Sequence, residues 1–237
     1  TNAAKHPATI RPRPTTSFTS PKSLTSRIKA PKIAGIETMK EYERSHKGYA
    51  YICGIDEAGR GPLAGPLVVA GVIFPIGYSS PEKEILYLND SKKLSEKKRE
   101  ELYEVIMENA ISVGVGIVDS TVIDEINILQ ATYEAMRQAI SKLNPQPEFV
   151  LADAVTIPGI TIPQEGIIKG DAKSISIAAG SIIAKVTRDR MMYEYDKMYP
   201  EYGFASNKGY GTADHIAALK KYGPTPIHRK SFITSFV

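Results

Sequence analysis

A short apolar run, residues 51–55, ends in two adjacent acids, Asp56 and Glu57, and is followed at once by the turn Gly59-Arg60-Gly61-Pro62. No other feature constrains the fold as strongly. Four to eight apolar residues bounded by glycine or proline read as a buried strand, so the two carboxylates stand at a strand end. The rest of the chain fits that frame. Apolar runs at 67–74, 111–118 and 149–152 read as further strands, and Ile167-Ile168 as one closing the sheet. Helical spacing fills the intervals. Ser95 opens Ser-Glu-Lys-Lys, followed by Leu102, Val105, Ile106 and Ala110, so a helix spans roughly 95–110. Ile126, Leu129, Tyr133, Met136 and Ile140 fall on one face of a longer helix, and Ile175, Ala178, Ile182 and Val186 on another reaching about Tyr199. A last helix starts near Thr212 and stops before Gly223-Pro224. Strands first, then alternating helices and strands, predict a mixed α/β layer structure.

In such a sheet ligands gather at strand ends, where loops turn side chains toward a common cleft. Asp56 and Glu57 end the first strand, Asp153 ends a later one, and Asp171 precedes a helix. Carboxylates that converge repel one another and need protons or cations. Hard divalent ions such as Mg²⁺ or Mn²⁺ take oxygen ligands, and two of them suit phosphodiester cleavage. The alternative is that these acids face solvent or cap helices, and capping fits Asp171 as well as a metal role does.

The glycine turn has a competitor reading. Gly59, Gly61 and Gly65 do not match the GxGxxG spacing of a dinucleotide fingerprint, Pro62 opposes a helix starting after Gly61, and there is no Lys-Ser/Thr ending for a P-loop. A backbone contact turn fits better. Two glycines let the main chain approach a ligand, Arg60 can meet a phosphate or buttress the turn, and backbone groups can read a sugar 2′-hydroxyl. A purely structural tight turn stays open.

Charge is unevenly placed. The net +4 conceals a 1–48 segment with ten Lys/Arg against three Glu, and a remainder with twenty basic and twenty-three acidic residues. Residues 1–36 lack Asp and Glu and are rich in Ser, Thr and Pro, which predicts disorder. Residues 1–48 are therefore expected to be a basic, largely disordered extension to a domain spanning 49–237. A phosphate-attracting arm, a transit-type presequence and a solvated extension all fit the first part, although prolines oppose the amphipathic helix of a presequence. Residues 37–47 read as a short polar helix. From Lys169 onward eleven basic residues face six acidic ones, so if the domain binds nucleic acid, that half, with Lys169, Lys173, Lys185, Arg188, Arg190 and Lys208, is where it is expected. Lys185 and Arg188 read equally as helix-surface charges. Cys53 is the only cysteine, which excludes disulfides within the chain and a Cys-rich zinc site.

Gly54-Ile-Asp-Glu-Ala-Gly-Arg-Gly-Pro-Leu-Ala-Gly-Pro resembles the signature of bacterial ribonuclease HII. Further similar blocks follow in family order: Asn89-Asp-Ser-Lys-Lys-Leu, Lys169-Gly-Asp-Ala-Lys-Ser, Ser181-Ile-Ile-Ala-Lys-Val-Thr-Arg-Asp-Arg, Asn207-Lys-Gly-Tyr-Gly-Thr and Pro226-Ile-His-Arg. The resemblance implies a ribonuclease H-like fold, with a central mixed five-stranded sheet, flanking helices and a helical C-terminal part. It implies an endonuclease that cuts RNA joined to DNA, including 5′ to a lone ribonucleotide, leaving 3′-hydroxyl and 5′-phosphate ends. It makes Asp56, Glu57, Asp153 and Asp171 the ligands of two Mg²⁺ or Mn²⁺ ions. Gly59, Arg60 and Gly61 then contact the 2′-hydroxyl and adjacent phosphate, and Tyr210 stacks on the following sugar. Ala154 stands where the family commonly has glycine, and Gly180 interrupts an alanine-rich helix at about 1 kcal/mol relative to alanine.

Other residues are weighed beside these. Lys92 and Lys93 are expected to approach backbone phosphate, against the alternative of a solvated lysine pair. Asp189 rivals Asp171, but ~27 Å of helical rise would part the two at ~1.5 Å per residue. His215 and His228 fit packing or phosphate contact better than catalysis. The expected protein is a monomeric cytoplasmic enzyme acting on RNA–DNA hybrids and ribonucleotide-containing duplexes, with no membrane partner and no small-molecule cofactor. Ribonuclease HIII is the sister alternative, but its N-terminal domain is too large for the prefix seen here. A silent nucleic-acid-binding module is opposed by the intact acid set.

Overall fold

The structure is a computed structural model that describes residues 39–46, 48–75 and 94–237. Lys92, Lys93 and the readings made for residues 1–38 lie outside that set. Five strands form one sheet: β1 Ile52–Ala58, β2 Leu67–Ile73, β3 Ser112–Val118, β4 Phe149–Asp153 and β5 Gln164–Ile167. Their order is β3-β2-β1-β4-β5, which puts β1 at the centre. β1 runs antiparallel to β2 and parallel to β4, so the sheet is mixed, as the resemblance implied.

The helices are α1 Glu41–Ser45, α2 Glu96–Asn109, α3 Ser120–Ser141, α4 Ile175–Met198, α5 Phe204–Asn207, α6 Ala213–Tyr222 and α7 Lys230–Ile233. Both sheet faces are covered, which is why β2 reads as an unbroken apolar run rather than an alternating one. Val68, Ala70 and Val72 face α2 and α4 through Leu102, Ile106, Ala178 and Ile182. Leu67, Val69 and Ile73 face α3 through Ala131, Ala135, Met136 and Ala139. The Ser95, Thr212 and Ser174 side chains each accept an amide hydrogen bond at the start of a helix, as N-caps do.

α4 lies directly on β1. A Cβ on Gly54 would fall 2.1 Å from the Ser176 carbonyl carbon, and one on Gly180 2.7 Å from the Ala70 carbonyl oxygen. Gly180 therefore has a packing reason that helix propensity alone does not disclose.

Three readings need correction. The apolar face expected on α3 holds at Tyr133, Met136 and Ile140 but fails at its start, where Asn127 has a left-handed φ of 66° that interrupts the helix. Ile126 and Leu129 are exposed as a result, and Ile123 and Ala131 take the core positions. The fifth strand precedes Ile168, which is 72% exposed. β1 also runs one residue beyond the two acids, to Ala58.

The segment after β1 is a turn leading into an antiparallel strand, which excludes a dinucleotide-binding strand–turn–helix. Among the described residues no helix is long and apolar enough to cross a membrane.

Candidate active site

Parallel pairing sets the acids side by side. Ile55 pairs with Ala152, so Asp56 and Asp153 follow at the C-terminal ends of neighbouring strands. Asp153 in turn pairs with Ile167 of β5. The chain then turns through Lys169, whose φ is 58°, and the Gly170 amide donates to Asp153 Oδ1 at 2.7 Å. That bond anchors Asp171 at the same strand end, in a short 3₁₀ turn where its side chain is buried.

The electrostatics are those of acids crowded out of water. Burial first, then the Glu57 charge, pushes the Asp56 carboxyl up to about 8, although the Ser181 hydroxyl and the Glu57 amide donate to it. Burial also raises Glu57, opposed by the Arg60 guanidinium 3.3 Å from its Oε1, and Asp153 adds a like charge to both. Glu57 Oε2 is buried without a hydrogen-bond partner. Among the described residues no three His, Cys, Asp or Glu side chains are gathered closely enough to hold a metal ion. The donors are nevertheless of the right chemistry: hard oxygens, mutually repelling, one of them orphaned, which is a set that a divalent cation would satisfy.

Beside the acids a cavity of about 370 Å³ is lined by Glu57, the Gly59-Arg60-Gly61 turn, Arg99, Ser181, Lys185 and Tyr210. Gly59 has a φ of 96° and leaves no room for a side chain, since a Cβ there would fall 2.2 Å from Arg188 Nε. The Tyr210 ring lies over Gly61 and is 46% exposed.

Two buried arginines hold this turn in shape. Arg188 of α4 donates to the carbonyls of Pro66 (2.9 Å), Ala64 (3.1 Å) and Lys208 (2.9 Å). Arg229 donates to Gly59 (2.6 Å), Arg60 (2.9 Å) and Gly65 (3.1 Å from Nε and 3.0 Å from Nη2). Arg188 is therefore not a surface charge awaiting a duplex. Arg190 is taken by Glu100 and Glu104, and Lys208 lies over the Tyr193 ring. Lys185 does line the cavity, with Asp189 2.7 Å away. Asp189 also faces Arg99 at 4.0 Å, so its partners are cationic side chains.

The profile of the family described as Ribonuclease HII matches residues 53–235. The chain belongs to the ribonuclease HII family. It is 66% identical to a ribonuclease HII of Lachnoclostridium phytofermentans over 200 residues, 84% of this chain and 77% of that one. The ribonuclease H2 of Pyrococcus horikoshii superposes with a TM-score of 0.63 at 30% identity, covering 76% of this chain and 93% of its own. The Bst-RNase HIII solved in complex with Mn²⁺ superposes at 0.59, with 18% identity and 84% and 68% coverage, a likeness of fold. As a ribonuclease HII the protein is an endonuclease and hydrolase of the ribonuclease H class.

Within this ribonuclease HII, residues missed in the sequence are those whose partners are remote. Arg188 and Arg229 look like surface cations until their carbonyl partners are seen. Glu43, inside the segment read as an extension, accepts from Ser174 Oγ (2.6 Å), Ser176 Oγ (2.9 Å) and the Ser176 amide (3.1 Å) at the start of α4. Ser181 was visible only as a member of a matched block.

Proposed function

We propose that this ribonuclease HII is a divalent-metal-dependent endonuclease that cuts the RNA strand of RNA–DNA hybrids. It also incises duplex DNA on the 5′ side of a lone ribonucleotide, leaving 3′-hydroxyl and 5′-phosphate ends. One observation carries the reading: Glu57, which shares its like-charge surroundings with Asp56 and Asp153, lines one cleft with the glycine contact turn, and an exposed tyrosine lies over the turn.

Asp56, Glu57, Asp153 and Asp171 are assigned as the ligands of two Mg²⁺ or Mn²⁺ ions. Bound there, such ions supply Lewis acidity to the scissile phosphate. The chain's own residues do the rest. Ser181 and the Gly170 amide fix the orientation of the Asp56 and Asp153 carboxylates. Arg229 bonds the turn through the Gly59 and Arg60 carbonyls and Arg188 holds Ala64 and Pro66 just beyond it, so the amides of Gly59, Arg60 and Gly61 are assigned to meet a phosphate or accepting hydroxyl. Arg60, Arg99 and Lys185 bring positive charge to the same cleft. Tyr210 offers its exposed ring to the deoxyribose that follows the ribonucleotide. The enzyme is assigned to the cytoplasm as a monomer.

The test compares cleavage of duplexes containing one ribonucleotide, several ribonucleotides, or none, with Mg²⁺, with Mn²⁺ and with chelator. Cutting at the 5′ side of the single ribonucleotide, dependent on the metal and yielding ends that a ligase and a phosphatase identify, is the expected result. Undiminished cleavage in chelator would overturn the metal assignment. Equal cleavage of all-DNA duplex would overturn the substrate.

A further inference from the structure

His215 of α6 and His228, beside α7, are both buried, with Nε2 atoms 3.0 Å apart. Imidazole nitrogens can donate or accept, but the two ends of this chain of contacts cannot choose. The Thr225 backbone N–H, an obligate donor, lies 2.9 Å from His228 Nδ1, which must accept. The neutral ring then carries its proton on Nε2 and donates to His215 Nε2. His215 therefore carries its own proton on Nδ1, which lies 2.8 Å from the Tyr210 carbonyl oxygen, an obligate acceptor. All roles are consistent from end to end. Tyr202 and Phe204 enclose the pair, and burial lowers both basicities, holding His228 at about 4 and both rings neutral near pH 7.

The relay ends on the backbone of the residue that lies over the glycine turn. The Tyr210 carbonyl also accepts from the Thr212 amide at 2.8 Å, so two donors fix that peptide. The neighbouring Gly209 carbonyl accepts from Leu63 and Ala64, and Ala64 forms an isolated bridge with His228. The histidine pair thus joins both sides of the cleft mouth.

We propose that His215 and His228 are positioning residues that set where the Tyr210 ring stands over Gly61, and so set the preference for a lone ribonucleotide in DNA over a continuous hybrid. This rests on the assignment of Tyr210 as the reader of the following deoxyribose. The pair touches no reacting atom.

Two measurements test it. Nitrogen-15 NMR of the histidine rings in the intact wild-type protein should show the Nδ1–H tautomer for His215 and the Nε2–H tautomer for His228; the opposite assignment for either overturns the relay. Independently, kcat/KM is measured on a single-ribonucleotide duplex and on a continuous hybrid for wild type, Tyr210→Ala, His215→Leu and His215→Asn. His215→Leu should lower the single-to-continuous ratio about fivefold, the effect of one lost hydrogen bond. His215→Asn, whose amide can replace the Nδ1 donor, should recover most of it. A lowered ratio in Tyr210→Ala with wild-type ratios in both folded His215 variants sinks the pair's role alone. An unchanged ratio in Tyr210→Ala sinks the reading of Tyr210 instead. If His215→Leu does not fold, the tautomers and the asparagine variant still decide.

Discussion

Gly54 of β1 and Ser176 of α4 meet backbone to backbone, with the position of a Gly54 Cβ only 2.1 Å from the Ser176 carbonyl carbon. The strand bearing Asp56 and the helix bearing Ser181 are thereby locked at one separation. Gly54→Ala must push them apart. It should cost at least ~2 kcal/mol, or about 4–8 °C in Tm, and should reduce cleavage beyond what the lost stability explains. Calorimetry beside activity at a temperature where the variant is folded checks both parts.

Asp153→Asn keeps an oxygen able to accept from the Gly170 amide, so the strand end should hold its shape. It removes a charge from the carboxylate group. Cleavage should fall on the order of 10³-fold, ~4 kcal/mol of transition-state stabilisation, with duplex binding retained. Binding by fluorescence anisotropy and turnover by gel assay separate the two, and full activity would exclude Asp153 as a metal ligand.

Ala154, just past that aspartate, has a left-handed φ of 56°. Side chains pay a steric penalty there that glycine does not. Ala154→Gly should stabilise the fold by about 0.5–1 kcal/mol, or roughly 2 °C in Tm. A lower Tm would mean that the Ala154 methyl group contributes packing that outweighs the strain.

Deleting residues 1–36 should leave the thermal transition in place, because Met39 in the core and Glu43 on the start of α4 are both retained. Deletion through residue 46 should lower Tm. Glu43→Ala in the full chain should reproduce part of that loss, about 2 kcal/mol, since three donors lose a charged acceptor at a helix N-terminus.

The buried histidines predict an acid limb to the stability profile. The His228 pKa lies at about 4 in the folded protein against 6.5 for the ordinary ring, and that of His215 is lowered too. The unfolded chain therefore binds protons that the folded pair refuses. Their contribution is fully present above about pH 6.5 and is lost as pH falls toward 4. Tm measured from pH 7.5 to 4.5 should decline less steeply in His228→Leu than in wild type; parallel curves would count against the neutral pair.

The strands were legible because burial on both faces leaves an unbroken apolar signature, as in 67–74. The acids were legible because Asp56 and Glu57 close such a run. On α3 the face was legible at Tyr133, Met136 and Ile140 and misread only at Ile126 and Leu129, which flank Asn127, where a positive φ interrupts the helix. Gly180 looked like a weak point because propensity describes an isolated helix, not one pressed onto a strand. Arg188 and Arg229 were opaque for another reason. A guanidinium bonded to carbonyls has no complementary residue type to betray it, and every peptide in the chain is an equal candidate.

Arg229 grips Gly59 from 170 positions further along the chain. On a ribosome, the acids of β1 and β4 have all been made by residue 153, while the Gly59-Arg60-Gly61 turn lacks its brace until residue 229 is added. The turn is braced only after those acids have been made. A product of interrupted synthesis would carry those acids without the finished turn beside them.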